Sequence, residues 1–313
     1  MMIAANIISL TILFAVPLLL VALGGMFSEH SGVINIALEG MMIIGALFAC
    51  FTLQGLDQSG FGSAHPQISM LIAILVAGVT GMIFSLLLGF AAINLKADQT
   101  IGGTALNLLA TAIAVVISKY FSESGSAKLN YSNKPFLFSI GGLELSIFVP
   151  LGIILLIISY VVLYKTRFGL RLRACGEHPQ AADSVGINVY KMRYAGVLLS
   201  GALGAIGGLA YIVPPVQTWN FEVGVAGAGF LALAVMIFGQ WKPNLIALAA
   251  LLFGLFRALS NVYSGFDFLV ALNIPGTFYK MLPYIISLLV LAVSSGKSRA
   301  PKAEGIPYDK GQR

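Results

Sequence analysis

The chain has 313 residues, of which 58% are hydrophobic and 10% charged, and it carries a formal net charge of +6. A soluble domain usually has about 25% charged residues, so the composition excludes an ordinary soluble protein and points to the bilayer. The apolar residues come in long unbroken runs, with no charged side chain between Met1 and Ser28 or between His65 and Lys96.

A helix needs about 20 apolar residues to cross the hydrocarbon core, and irregular backbone is not tolerated where lipid touches it. The runs predict an all-α polytopic membrane helix bundle of about nine transmembrane helices, at about 3–24, 33–53, 67–95, 101–120, 145–164, 194–213, 224–240, 243–260 and 281–296. Residues 1–296 then form one transmembrane domain and 297–313 a basic tail. The first run lacks a basic leader and is too long for a signal-peptide core, so it reads as a spanning helix.

In the second run Gly32, Gly40 and Gly45 interrupt the apolar pattern, and Asn35 and Glu39 lie one turn apart. A carboxylate at membrane depth costs about 2.5–3.5 kcal/mol on insertion scales. Glu39 therefore reads as a pathway residue lining a cavity, the alternative being a pairing with a neighbouring helix that fixes packing. Ser31 and Gly32 are placed to open a half-helix whose amides face a polar solute. In the fourth run, Gly102, Gly103 and Ala105 permit close helix approach while Gln99, Thr104 and Asn107 offer hydrogen bonds. These polar groups read either as interhelical glue or, together with Asn35 and Glu39, as the lining of a solute pathway.

After the fifth run, residues 165–193 carry Lys165, Arg167, Arg171, Arg173, Lys191 and Arg193 against Glu177 and Asp183. The tail adds Lys297, Arg299, Lys302, Lys310 and Arg313. Both segments are expected on the cytoplasmic side, and the four runs between them agree with that assignment and leave the N-terminus outside. The positive charge is thus a topology signal, and no aromatic-interleaved basic patch implies a nucleic acid partner. Within the loop, Pro179 suits the first turn of a short helix and Gly186 suits a left-handed end. With the small residues Ala181 and Ala182 between them, this is either a docking knob for a cytoplasmic partner or a solvated amphipathic loop.

Residues 31–45 and 225–239 share a glycine-interrupted start and a glycine after a Met-containing apolar stretch. They enter the membrane from opposite sides in this topology, as inverted repeats with broken helices around a central site do. Arg257 falls near the outer end of the eighth run, where its side chain reaches the interface. Cys50 and Cys175 imply no disulfide framework. His30, His65 and His178 show no metal-ligand spacing, and no GxxxxGK[ST] or Ser/His/Asp grouping is present. The chain is accordingly read as a non-enzyme without a metal or cofactor, and any ATP hydrolysis belongs to another subunit.

The stretch QAADSVG, Gln180 to Gly186, resembles the EAA-x3-G coupling motif of ABC importer permeases, with Gln180 in place of Glu. SGVINIALEGMMIIGA at 31–46, ADQTIGGTALNLLA at 97–110 and GFLALAVMIFGQWKPNLIALAALLFG at 229–254 resemble the branched-chain amino acid, simple sugar and nucleoside permease family. Within it the chain is most similar to the shorter permease of nucleoside importers. The resemblance implies the translocation subunit of an ATP-driven importer in a bacterial plasma membrane. It further implies a second homologous permease, ATP-binding subunits docked around Glu177, Pro179, Ala181, Ala182 and Gly186, and an extracytoplasmic solute-binding protein. Nucleosides are the expected solute, with a sugar or other small solute as the alternative. Three other classes compete with the importer reading: an ion-coupled transporter using Glu39, an integral-membrane enzyme, for which no polar constellation is found, and a purely structural subunit.

Overall fold

In lipid, a backbone amide finds a partner within its own segment or not at all, so long apolar runs fold as helices. The computed structural model describes residues 2–122, 125–140, 143–262, 278, 281, 282, 284, 285, 288 and 299–311. The helices in order are α1 (Met2–His30), α2 (Leu38–Gln58), α3 (Phe61–Ala64), α4 (Pro66–Gly89), α5 (Gln99–Phe121) and α6 (Phe148–Lys165). They continue with α7 (Arg167–Glu177), α8 (Pro179–Ser184), α9 (Val189–Ile212), α10 (Ala228–Phe238) and α11 (Pro243–Val262). A π-helical turn, Phe90–Asn94, extends α4.

Seven of these helices are long and apolar enough to cross a membrane: α1, α2, α4 with its π turn, α5, α6, α9 and α11. The expected seventh span at 224–240 departs from this. Only Ala228–Phe238 is helical, about 16 Å at 1.5 Å per residue, or roughly half a bilayer. Gly224, Ala226 and Gly227 hold positive φ of 60°, 53° and 77°, and a right-handed helix cannot pass through them. The expected ninth span, 281–296, lies largely outside the described residues.

Burial separates a centre from a rim. About 72% of the apolar window of α2 and 67% of that of α9 is buried inside the chain, against 28% for α5 and 22% for α6. Lipid is as apolar as leucine, so small residues that let helices approach closely drive this packing. α9 supplies them along its length. A side chain at Gly201 would strike the Gly81 carbonyl oxygen of α4, one at Gly208 the Met42 backbone of α2, and one at Gly24 of α1 the Ser200 oxygen at 2.9 Å.

At the end of the bundle opposite residues 165–193, two small antiparallel ladders cover the helices. β1 (Lys128–Asn130) pairs with β4 (Thr218–Asn220), placing Leu129 opposite Trp219. β2 (Leu137–Ile140) pairs with β3 (Leu143–Ser146). They join connections rather than spans, so the membrane body remains all-helical. Asp57 at the end of α2 accepts the Ser132 amide at 2.8 Å and ties this cover to the bundle.

Overpacking a core costs about 1–3 kcal/mol even where flexible side chains can yield, and at Gly201 the obstacle is backbone. Gly201→Val is expected to lower the thermal midpoint of the detergent-solubilised protein and broaden its size-exclusion peak. Gly102→Ala, which meets nothing within 4 Å, should leave both unchanged.

Candidate functional site

Between α1 and α2 the chain is non-helical from Ser31 to Ala37. The Val33 amide donates to Ser28 O at 3.2 Å and the Gly32 amide to Glu29 O at 2.9 Å. With Gly32 at φ +92°, these bonds form the pattern that closes a helix C-terminus around a left-handed glycine. Ser31 and Gly32 therefore end α1 and do not open a half-helix. Their amides are used by the preceding turn.

The rest of the break is held by side chains from other helices. Gln99 Oε1 accepts the Ile34 amide at 2.7 Å. Asn107 Oδ1 accepts the Gly40 amide at 2.7 Å while its Nδ2 donates to Ile36 O at 2.9 Å, so α5 caps the start of α2. Asn35 Nδ2 donates to Ser200 Oγ of α9 at 2.7 Å and to Met41 Sδ at 3.3 Å. Asn35 Oδ1 and Gln99 Nε2 are buried and have no protein partner among the described residues. An acceptor and a donor thus remain free beside a stretch of non-helical backbone, the kind of place where a polar solute finds hydrogen bonds.

Glu39 reaches the second break. Its Oε1 accepts the Gly227 amide at 2.9 Å and its Oε2 the Gly229 amide at 2.6 Å, at the start of α10. A carboxylate there meets unpaired amides and the positive end of the helix dipole together. The neighbouring-helix pairing left open by the sequence is therefore present. Trp219 Nε1 donates to Gly224 O at 3.0 Å and Tyr284 Oη to Ala226 O at 3.1 Å, completing the support of residues 224–227. Arg257 is half-buried on α11. It donates to Tyr211 Oη at 3.0 Å and Tyr284 Oη at 3.2 Å, beside the Phe14 ring.

At its other end α10 is fixed to α1. Trp241 Nε1 donates to the Glu29 carboxylate, and the His30 ring is hydrogen-bonded to Trp241 O at 3.1 Å. From the point where Glu39 meets Gly227, α2 runs toward the β ladders and α10 toward the α1 terminus, so the two glycine-interrupted segments diverge in opposite directions. Thr104 stands apart from this cluster. It is exposed on α5 and its hydroxyl donates to Thr100 O of its own helix at 2.8 Å.

The basic loop folds as α7 and α8. α8 begins at Pro179 and closes with Gly186 at φ +84°, its amide donating to Asp183 O at 2.9 Å and the Ile187 amide to Ala182 O at 3.0 Å. The same closure ends α1. Of the five expected docking residues, Glu177, Ala181 and Gly186 are exposed, whereas Pro179 and Ala182 are buried. Ala182 packs inward with Cys175, Val189 and Tyr308, so it anchors the knob while Ala181 presents it. Val185, 75% exposed, belongs to the presented face and was missed by the small-residue reading.

The segment 299–311 crosses this face as a strap. The Ala303 amide donates to Gly176 O at 2.8 Å and the Gly305 amide to Gly32 O at 3.3 Å. Arg193 Nη2 donates to Ile306 O at 3.0 Å, and the Tyr308 ring lies 5.4 Å from that of Tyr190. Lys96 pairs with Asp309 at 2.8 Å in the open. Glu304 is hydrogen-bonded to Glu29, which requires one of the two carboxyls to hold a proton. Burial pushes the Glu304 carboxyl up to about 7, the hydrogen bond with Glu29 pulling it weakly back.

The family model described as branched-chain amino acid transport system / permease component matches residues 7–291. The chain is 42% identical to the nucleoside ABC transporter permease protein NupC of Lactococcus lactis subsp. cremoris (strain MG1363), over 97% of this chain and 96% of that protein. It is 42% identical to the guanosine ABC transporter permease protein NupQ of Bacillus subtilis (strain 168), over 98% and 97% respectively. It is 24% identical to a second Lactococcus protein, the nucleoside ABC transporter permease protein NupB, over 95% and 84%. No solved structure matches the chain.

Two outcomes are expected from this geometry. Asn107→Leu strands the Gly40 amide and the Ile36 carbonyl, at about 1–3 kcal/mol for each buried group, and should lower the denaturation midpoint, whereas Thr104→Ala should not. The raised Glu304 carboxyl makes strap docking pH-dependent. Its contribution is complete below the ordinary value of 4.5 and is lost as the pH rises through about 7, because the undocked strap ionises more readily. Protection of the amides across 299–311, taken relative to their intrinsic exchange rate at each pH, should therefore be greater at about pH 5 than at about pH 8, and Glu304→Gln should flatten the difference.

Proposed function

The chain belongs to the branched-chain amino acid transport system / permease component family, and from that premise we propose that it is the solute-conducting subunit of an ATP-driven importer for nucleosides. The observation that carries this reading is the 42% identity, over nearly the whole chain, to permeases named for nucleosides and for guanosine. ATP is hydrolysed on separate ATP-binding subunits, which seat on the exposed surface formed by Glu177 at the end of α7, Ala181 of α8, and Val185 and Gly186 just after it. A second, homologous permease completes the pathway, in keeping with the similarity to both NupC and NupB of one organism. An extracytoplasmic binding protein delivers solute to the opposite end.

The geometry supports this direction of travel. At the β end a polar cavity of about 1120 Å³ is lined by Gln54, Asp57, Lys128, Asn130, Lys134 and Thr218, a receiving vestibule for a polar solute. Deeper in the bundle, Asn35 and Gln99 offer uncharged hydrogen-bonding atoms that suit a neutral ribose and base. Glu39 and Asn107 hold the two breaks in shape around them, and Thr104 faces outward from α5 toward the partner permease. ATP acts through differential contacts with two conformations of this pathway, not through chemistry in the chain. Amide donors meet both Glu39 oxygens, and donors directed at a carboxylate disfavour a cation there, which weighs against the ion-coupled alternative.

The test is purification of the tagged chain from its native membrane, with ATPase activity and nucleoside uptake measured after reconstitution. An associated ATPase, ATP-dependent nucleoside uptake, and loss of both with Ala181→Arg are expected. Folded chain that carries no ATPase would overturn the importer reading, and uptake of sugars in place of nucleosides would redirect the solute assignment.

A further inference from the structure

The strap at 299–311 touches two places that α9 also joins, through Val189 in the cluster under α8 and Ser200 bonded to Asn35. On one side Tyr308 completes the small buried cluster under α8, with Ala182, Cys175 and Val189, and stacks edge-on against Tyr190. On the other, the Gly305 amide is bonded to Gly32 O, and Gly305 packs against the Ile34 side chain. Gly32 and Ile34 belong to the break, where Gln99 accepts the Ile34 amide and Asn107 donates to the Ile36 carbonyl. The ends of the strap are thus packed into the docking helix and into the candidate solute site.

Resting on the importer reading above, we infer that the strap is a positioning element that transmits movement of α8 to the Ser31–Ala37 break, so that ATP turnover and solute release stay coupled. Rigid transmission needs packed contacts at both ends, and Tyr308 and Gly305 supply them. It also needs an element with two accessible positions. The docked strap is incompletely satisfied. Arg193 is buried to 1% exposure yet only its Nη2 finds an acceptor, Nε and Nη1 having none among the described residues. Buried donors left unpaired oppose docking, while the Tyr308 cluster and the two backbone bonds favour it. The balance places the strap near the point where a displacement of α8 releases it. Residues 302–306 would then leave Gly32, and the carbonyl that Gly305 holds would be free to follow the break into its other conformation.

The role differs from simple support of the fold in what it predicts. Loss of the strap contact should separate hydrolysis from transport, leaving the docking face of α8 intact. The experiment uses the complete reconstituted importer and measures nucleoside moved per ATP hydrolysed. Tyr308→Ala is expected to lower that ratio about tenfold, within the usual range of coupling between sites, while the ATP-binding subunits remain bound and hydrolysing. Tyr308→Phe keeps the ring against Tyr190 and should restore most of it. Gly305→Ala, strained at φ +75° and pressed against Ile34, should lower the ratio with Tyr308 in place, and it serves where Tyr308→Ala does not assemble. In parallel, ATP-driven changes in amide exchange across 31–37 should vanish in both variants. An unchanged ratio, or hydrolysis and uptake falling together, would overturn the inference. A wild-type chain without any bound ATPase would instead overturn the importer reading itself.

Discussion

The contact on which the rest of the architecture depends is the Glu39 carboxylate closing on the amides of Gly227 and Gly229. Two stretches of backbone leave helical geometry inside a bundle that has no bulk water to satisfy them, and each unpaired amide there costs several kcal/mol. One carboxylate, carried at the start of α2, ends that problem for α10 and locks the two breaks to each other. At the far end of α10, Glu29 and His30 of α1 take the Trp241 indole and carbonyl. A half-length helix is thus clamped between residues that lie ten positions apart in one short polar-flanked segment. Such a helix has no freedom to tilt unless the segment 29–39 moves with it.

Close packing makes that clamp possible. α9 runs through the middle with glycine at each crossing, against Gly81 of α4 and the Met42 backbone of α2. Only at such separations can Ser200 reach Asn35. Small residues and polar side chains therefore act as one device. Glycine sets the distance, dispersion gains from the contact, and short hydrogen bonds then fix the register of the breaks. The rim helices α5 and α6 are less buried, and α5 hydrogen-bonds to the first break through two side chains, Gln99 and Asn107, on its inward face.

Much of the bundle was legible because apolar run length is a local property: α1, α2, α4, α5, α6, α9 and α11 follow from it within a few residues. So was α8, where Pro179 and Gly186 announce both ends of a helix by backbone geometry alone. The failures share a cause. Gly32 carries the same left-handed geometry as Gly186, but nothing local shows whether a glycine closes the helix before it or opens the one after it. Residues 224–227 sit in an apolar run, so a half-helix looked like a full span. The partners of Arg257, Tyr211 and Tyr284, lie 46 and 27 residues away and were not foreseen. The same holds for Ser200 and Val185. Their roles depend on which helix passes beside them or on which face of a knob is left uncovered, and composition carries neither fact.

The face bearing α8 joins exposed and buried residues. Of its five expected residues, two anchor and three present, an arrangement that suits a lever better than a passive pad. Pro179 and Ala182 are held in the chain while Ala181 and the adjacent Val185 face outward. A partner that grips Ala181 must move Pro179 and Ala182 with it, because all three belong to one six-residue helix. What lies beneath that turn is Tyr308, and beneath the same strap is Gly32. Docking, anchoring and the first break are therefore consecutive contacts in one stack. A conformational difference at the proposed docking face has a route of packed atoms to the place where Asn35 Oδ1 and Gln99 Nε2 have no partner among the described residues, with α10, held by Glu39, close by.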